Sequence, residues 1–341
     1  MKYLFVVIPL AALLAGCSSA PAPAPVAAVP GVGSIVRLEP AFDSLVPKDA
    51  VIENVAGGFE FTEGPLWRPE GVVWFSDVVG NVLRSVTPTG QVTVLMQKAG
   101  GESSAPPGSF IGSNGMIADK DGFVLLCQHS NRRIVRVAKD LTTTPYLEKF
   151  EGKRFNSPND LVYRSDGTLY FTDPPYGILK QDEDPAKELK FNGVYRYANG
   201  KLTAEIRDLN RPNGLALSPD GKILYVANSD PQKRIWMRYD VAGDGSVSNG
   251  KVFADVSAEK EEGLPDGFKL DSQGNLWASG PAGIWVFSPD GKHLGTIKTP
   301  EVPANCNWGD DGRTLYITAV KSVYRIKLSV MGEKPLYQTY Q

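Results

Sequence analysis

Asn213-Gly214-Leu215-Ala216-Leu217-Ser218-Pro219-Asp220-Gly221-Lys222-Ile223-Leu224-Tyr225-Val226 reads as a polar residue, a short apolar run, a glycine turn, and a β-branched and aromatic run. This predicts two antiparallel strands: Pro-Asp-Gly sets the turn, and the flanking residues suit a pleated, half-buried surface. The unit recurs from Glu63 to Gly71 and 72–75, from Asn114 to Gly122 and 123–126, from Asn159 to Gly167 and 168–171, and from Asp266 to Gly274 and 275–278. A looser copy runs from Asn305 to Gly312 and 314–317. In five copies the polar residue precedes the turn glycine by 8 positions, and in the sixth by 7. Successive glycines lie 51, 45, 54, 53 and 38 residues apart, room for three or four short strands per unit. No helical period of any length appears. The sequence therefore predicts an all-β fold, a six-bladed β-propeller with four-stranded blades. Residues 50–55 precede the first unit and are expected to pair as the outer strand of the sixth blade, which removes an exposed edge.

Outward from the repeats, the N-terminus carries a different message. Met1-Lys2 and the apolar run 3–14 end in Leu14-Ala15-Gly16-Cys17. The run is short for a bilayer span and its flanks suit a cleaved export signal. It resembles the lipobox of bacterial lipoproteins, with Cys17 as the lipidated residue; the alternative is an ordinary signal peptide. Ser18 after Cys17 fits sorting to the outer membrane, facing the periplasm. The Pro/Ala-rich segment 18–34 cannot pack a core and reads as a semi-rigid tether. The expected organisation is thus a signal over 1–17, a tether over 18–34 and the propeller over 35–341. A net charge of −2 with no basic stripe argues against nucleic acid. Membrane contact is expected only through the anchor, and no oligomeric state is assigned. Cys127 and Cys306 lack metal-ligand spacing and sit in apolar strands, as small buried thiols do.

The first strand of each propeller blade lines the central channel, so residues at one repeat position converge on the axis. Glu63, Asn114, Asn159, Asn213 and Asp266 occupy that position. Two carboxylates and three amides would not be gathered there without a partner, because unpaired buried charge costs several kcal/mol. One divalent cation on the axis removes that cost. Hard oxygen donors suit Ca²⁺ first, with Mg²⁺ or Mn²⁺ as alternatives. Zn²⁺, which prefers imidazole or thiolate, stays open as a lesser alternative. Asn-Gly and Pro-Asp-Gly are also ordinary turn signals. A turn residue, however, has no reason to keep the 8-residue phase that Asp266 shares with Glu63 and the asparagines.

The motifs 61–65, 154–161, 171–177, 211–214 and 264–267 resemble the gluconolactonase branch of the SMP-30/regucalcin-like family, over about 51–328. The resemblance implies a six-bladed propeller and a divalent metal held by Glu63, Asn159, Asn213 and Asp266. It also implies hydrolysis of a small sugar lactone, with Asp266 as the general acid and base. Asn159 serves the metal in some branches and the substrate in others. Arg154 resembles a substrate-contacting arginine, although Asn156, Ser157 and Pro158 separate it from Asn159-Asp160 where regucalcin-like members bring the two closer. Diisopropyl-fluorophosphatase relatives share the metal set. A phosphotriesterase-like or other esterase activity, and a non-catalytic surface-binding propeller, are accordingly the alternative readings.

Around this set, Asn114 and His129 are further candidates for the substrate side, His129 alternatively being a packing histidine. Asp77, Gln128 and Asp173 each follow their turn glycine by 6 positions and end a second strand. Substrate contact, assigned to Asp173, and hydrogen-bond bracing are the two roles open to them. The acidic segment 181–184 reads as a solvated insertion near the pocket rim.

Overall fold

The computed structural model describes residues 31–337. The export signal, Cys17 and most of the tether lie outside them. Six antiparallel sheets follow one another along the chain. In the first four blades the strands run outward from the axis in sequence order. The innermost strands are Thr62–Arg68, Ser113–Ala118, Leu161–Tyr163 and Pro212–Leu217, and Phe268–Leu270 and Pro303–Gly309 continue the series. Successive inner strands touch all the way round, the sixth against the first. This is the predicted six-bladed propeller.

Its closure is also the predicted one. Ile52–Gly57 pairs antiparallel with Ser322–Lys327, with Ile52 opposite Ile326, as the outer strand of blade 6. One feature of the N-terminus departs from expectation. Ser34–Arg37 adds a fifth strand to blade 5, opposite His293–Lys298, and Val32 N donates to Ile52 O at 2.9 Å. The segment 31–34, read as tether, therefore belongs to the body. A six-residue helix, Pro40–Leu45, follows and seats Phe42 and Leu45 in the core shared by blades 5 and 6.

Apolar residues alternate along the strands and meet between blades rather than in one central core. Trp67 of blade 1 stacks on Tyr316 of blade 6, with ring centroids 5.8 Å apart, and both join the cluster that seals the first blade to the last. Trp277 and Trp308 meet edge to face across blades 5 and 6. Cys127 and Cys306 are buried free thiols, as expected.

Inner strands can crowd the axis because a glycine follows the polar residue in four of the six copies, Gly64, Gly115, Gly214 and Gly267. A Cβ on Gly115 would stand 2.4 Å from Asn159 O, and one on Gly214 would stand 2.4 Å from Asp266 O. The Asn-Gly pairs are thus not turns. They sit in β-bulges of the inner strands, where glycine admits the next blade's backbone.

Candidate functional site

The polar residues of the inner strands turn toward one another on the axis, four of them beside a bulge. Asn114 Nδ2 donates to Asn159 Oδ1 at 2.7 Å, Asn159 Nδ2 to Asn213 Oδ1 at 2.5 Å, and Asn213 Nδ2 to Ser229 Oγ at 2.9 Å. On the opposite arc Glu63 Oε2 accepts from Gly64 N at 2.7 Å and from Asn305 Nδ2 at 3.0 Å. The Asp266 and Glu63 carboxyls lie close enough to repel one another. The structure thus brings Glu63, Asn114, Asn159, Asn213 and Asp266 together on the axis. It adds Asn305 from the sixth copy. All but Asp266 are buried.

The electrostatics of this ring are unbalanced. Burial pushes the Glu63 carboxyl up to about 7. Burial raises Asp266 further, with the Glu63 charge adding to it. Asp266 Oδ1 is buried with no hydrogen-bond partner. Among the described residues no three His, Cys, Asp or Glu side chains form a metal-binding group. The axial donors are two carboxylates and a set of amides, whose carbonyl oxygens each keep a second lone pair. An orphaned carboxylate oxygen and hard oxygen donors together fit a hard divalent cation.

His129 belongs to this ring and is no surface histidine. It is fully buried, with Nδ1 3.1 Å from Phe110 O and Nε2 3.4 Å from Asn114 Nδ2. A carbonyl only accepts, so the proton sits on Nδ1 and Nε2 is left as an acceptor. Burial pushes the imidazole down to about 4, which keeps it neutral at pH 7.

The remaining candidates go elsewhere. Arg154 is exposed on a small hairpin, Lys149–Phe150 with Lys153–Arg154, where its guanidinium donates to Asn131 O at 3.2 Å. Its own N–H meets Glu188 Oε2 at 2.8 Å. Asp173 spends both oxygens on backbone, accepting from Asn156 N and Ser157 N at 2.8 Å each. It therefore braces the loop that delivers Asn159. Asp77 does the same for Glu60 and Phe61, and Gln128 holds Ala99, Asn131 and Arg133. Bracing is the role the geometry gives these strand ends. The acidic insertion is tied down: Asp182 pairs with Arg211 and accepts from Asn192.

Three contributors were not singled out by the sequence reading. Tyr176 lies near Ser229 and Asn213 and feels the Asp266 charge; burial raises its phenol well above the usual range. The motif 171–177 contained it, but no spacing rule singled it out. A lower tier holds Asp160 and Lys269, with Lys269 Nζ 3.8 Å from Asp160 Oδ2. Beyond it the channel turns apolar. A cavity of about 230 Å³, walled by Leu66, Met116, Leu161, Leu215 and Leu270, is capped by residues 333–336.

Comparison with known proteins agrees with this architecture. The SMP-30/Gluconolactonase/LRE-like region model matches residues 61–321. A gluconolactonase of Zymomonas mobilis is 39% identical over 315 residues, 88% of each chain. The structure of a Xanthomonas campestris gluconolactonase superposes with a TM-score of 0.77 at 30% identity, covering 88% of this chain and 96% of that one. A calcium-binding protein, regucalcin, from Agrobacterium tumefaciens shares the fold at 18% identity, with a TM-score of 0.63, 83% of this chain and 98% of that one. The chain belongs to the SMP-30/gluconolactonase family.

Proposed function

We propose that this family member hydrolyses a small sugar lactone at a single divalent cation held by Glu63, Asn159, Asn213 and Asp266, with Ca²⁺ the best-fitting ion. The observation that carries the reading is the unpartnered Asp266 Oδ1 in a ring of oxygen donors from separate blades. The 39% identity to a gluconolactonase supports the substrate class. When bound, the cation supplies electrophilic polarisation of the lactone carbonyl and charge stabilisation as that oxygen becomes anionic.

The chain's own residues do the rest. Asp266 accepts a proton from the attacking water and returns it to the ring oxygen as the C–O bond breaks, so that one water is added in all. Asn114, whose N–H groups are fixed by Asn159 and His129, offers its carbonyl oxygen to a sugar hydroxyl.

Glucono-1,5-lactone hydrolysis, followed as acid release, tests this. Turnover should vanish with EDTA, return with Ca²⁺, and fall at least 10³-fold in Asp266→Ala, about 4 kcal/mol of transition-state stabilisation. Chelator-resistant turnover, or a folded Asp266→Ala that stays active, would refute it. Turnover of fluorophosphates in place of lactones would move the substrate class.

The same proposal places the protein at the cell envelope, lipid-anchored through Cys17 and facing the periplasm, on the strength of the Leu14–Cys17 sequence. Labelling with radioactive palmitate checks it: the wild type should incorporate label, and Cys17→Ala should not.

A further inference from the structure

The lower tier of the axis has a charge arrangement that the ring above it does not explain. Asp160 directly follows Asn159 and is 4% exposed, and its neighbours Leu161 and Lys269 line the apolar lower cavity. Its Oδ1 accepts from Leu161 N at 2.8 Å, while Oδ2 is buried with no hydrogen-bond partner. The cation beside it among the described residues is Lys269, reaching in from the inner strand of blade 5. Its Nζ donates to Phe268 O at 3.0 Å and stands 3.8 Å from Asp160 Oδ2. Lys269 sits on that strand between Phe268 and Leu270, both buried. Its side chain is 21% exposed, so the ammonium is partly desolvated there, and a fixed negative charge beside it offsets that cost.

Counting charge along the axis gives the lysine its purpose. Glu63, Asp160 and Asp266 contribute three negative charges, Lys269 one positive, and His129 none. A divalent cation brings that total to zero. Without the lysine, the loaded channel would keep one unanswered carboxylate beside an apolar cavity.

We infer that Lys269 is a positioning residue for the cation: a built-in counter-charge that satisfies Asp160 from within and leaves Glu63 and Asp266 to the divalent ion. This rests on the metal reading proposed above. Its consequence is specific. Charges in a buried channel are weakly screened, so Lys269 and the ion repel while Asp160 and the ion attract. The two side chains, neither of them a ligand, must then act on cation affinity with opposite signs.

Calorimetric titration of the intact protein with Ca²⁺, then Mg²⁺ and Mn²⁺, at pH 8 tests this, with Asp160→Asn, Lys269→Met and the double variant beside wild type. Asp160→Asn should weaken cation binding at least tenfold, because the ammonium is left unopposed. Lys269→Met should tighten it at least fivefold, and the double variant should return to within about threefold of wild type. A purely structural pair would lower the melting temperature in every variant and give no such inversion. If Lys269→Met does not fold, a weakened Asp160→Asn rescued by the double substitution still supports the inference. Wild-type binding with affinities unchanged in Asp160→Asn, or weakened alike in both single variants, overturns it alone. A wild type that takes up none of the three ions overturns the metal reading and this inference together.

Discussion

At the scale of single residues, the axial ring is held by side chains in states they would not adopt in water. His129 is the clearest case, a fully buried imidazole whose proton affinity is depressed to about 4 from an ordinary 6.5. In the unfolded chain it protonates below pH 6.5, whereas the folded chain resists until about pH 4. Stability drawn from His129 is therefore present above pH 6.5 and is lost as pH falls from 6.5 toward 4. The shift corresponds to about 3 kcal/mol. Comparing urea denaturation of wild type and His129→Gln at pH 7 and pH 4.5 isolates this term: wild type should lose about 2–3 kcal/mol more over that interval. Equal losses would mean that the imidazole is solvated. The residues that carry this ring were largely readable, because a repeat position is a geometric statement. Glu63, Asn114, Asn159, Asn213 and Asp266 share a phase, and propeller symmetry turns a shared phase into a shared place. Tyr176 and Arg154 show the boundary of that logic. Both lie on connecting segments outside the repeat, where no period relates sequence position to the axis. Tyr176 is carried inward, and Arg154 stays on the rim.

At the scale of strands, the one irregular repeat has a physical cause. In blades 1, 2 and 4 a bulge follows the polar residue, adding one residue between it and the turn glycine. In blade 6 the bulge comes earlier, between Pro303 and Asn305. The 7-residue spacing from Asn305 to Gly312 is thus the 8-residue spacing less one bulged residue, and Asn305 holds its axial place by donating to Glu63. A bulge is set by how neighbouring backbones crowd, which the sequence of one strand does not state. The extra strand Ser34–Arg37 was missed for a related reason: four residues beside a Pro/Ala-rich stretch carry too little alternation to be told from tether. The outer strand of blade 6 was legible because residues 50–55 read as a strand outside any repeat, and the last repeat lacked one. Ile52 anchors that strand, 2% exposed in the cluster with Ile326 and Trp308. Ile52→Ala should cost about 2–4 kcal/mol, read as a lowered denaturant midpoint with an unchanged slope. A loss below about 0.5 kcal/mol would mean that the strand pairs without helping to close the ring.

At the scale of the whole molecule, the propeller accepts destabilisation at its centre in exchange for a site. Six inner strands converge on one channel, and the interface clusters between blades must outweigh carboxylates buried against each other. Glu63, 3% exposed and raised to about 7 from 4.5, makes the cost visible through pH. A folded carboxyl with raised proton affinity stabilises the fold only while protonated. Its favourable term is complete below pH 4.5 and is lost as pH rises through 7, about 3 kcal/mol from this residue. Asp266 shifts in the same direction. The metal-free protein should therefore lose stability between pH 5 and pH 8, apart from the opposite acid-side contribution of His129. A bound cation favours the ionised carboxylates, so its stabilising effect must grow over the same interval. The measurement is the rise in melting temperature on adding millimolar Ca²⁺ to EDTA-treated protein, taken at pH 5, 6, 7 and 8. His129 and every other titration common to both states largely cancel in that difference. The rise should be small at pH 5 and increase by several degrees toward pH 8. A shift that is flat across the series would mean that the ion binds away from Glu63 and Asp266, on the surface of the propeller instead of its axis.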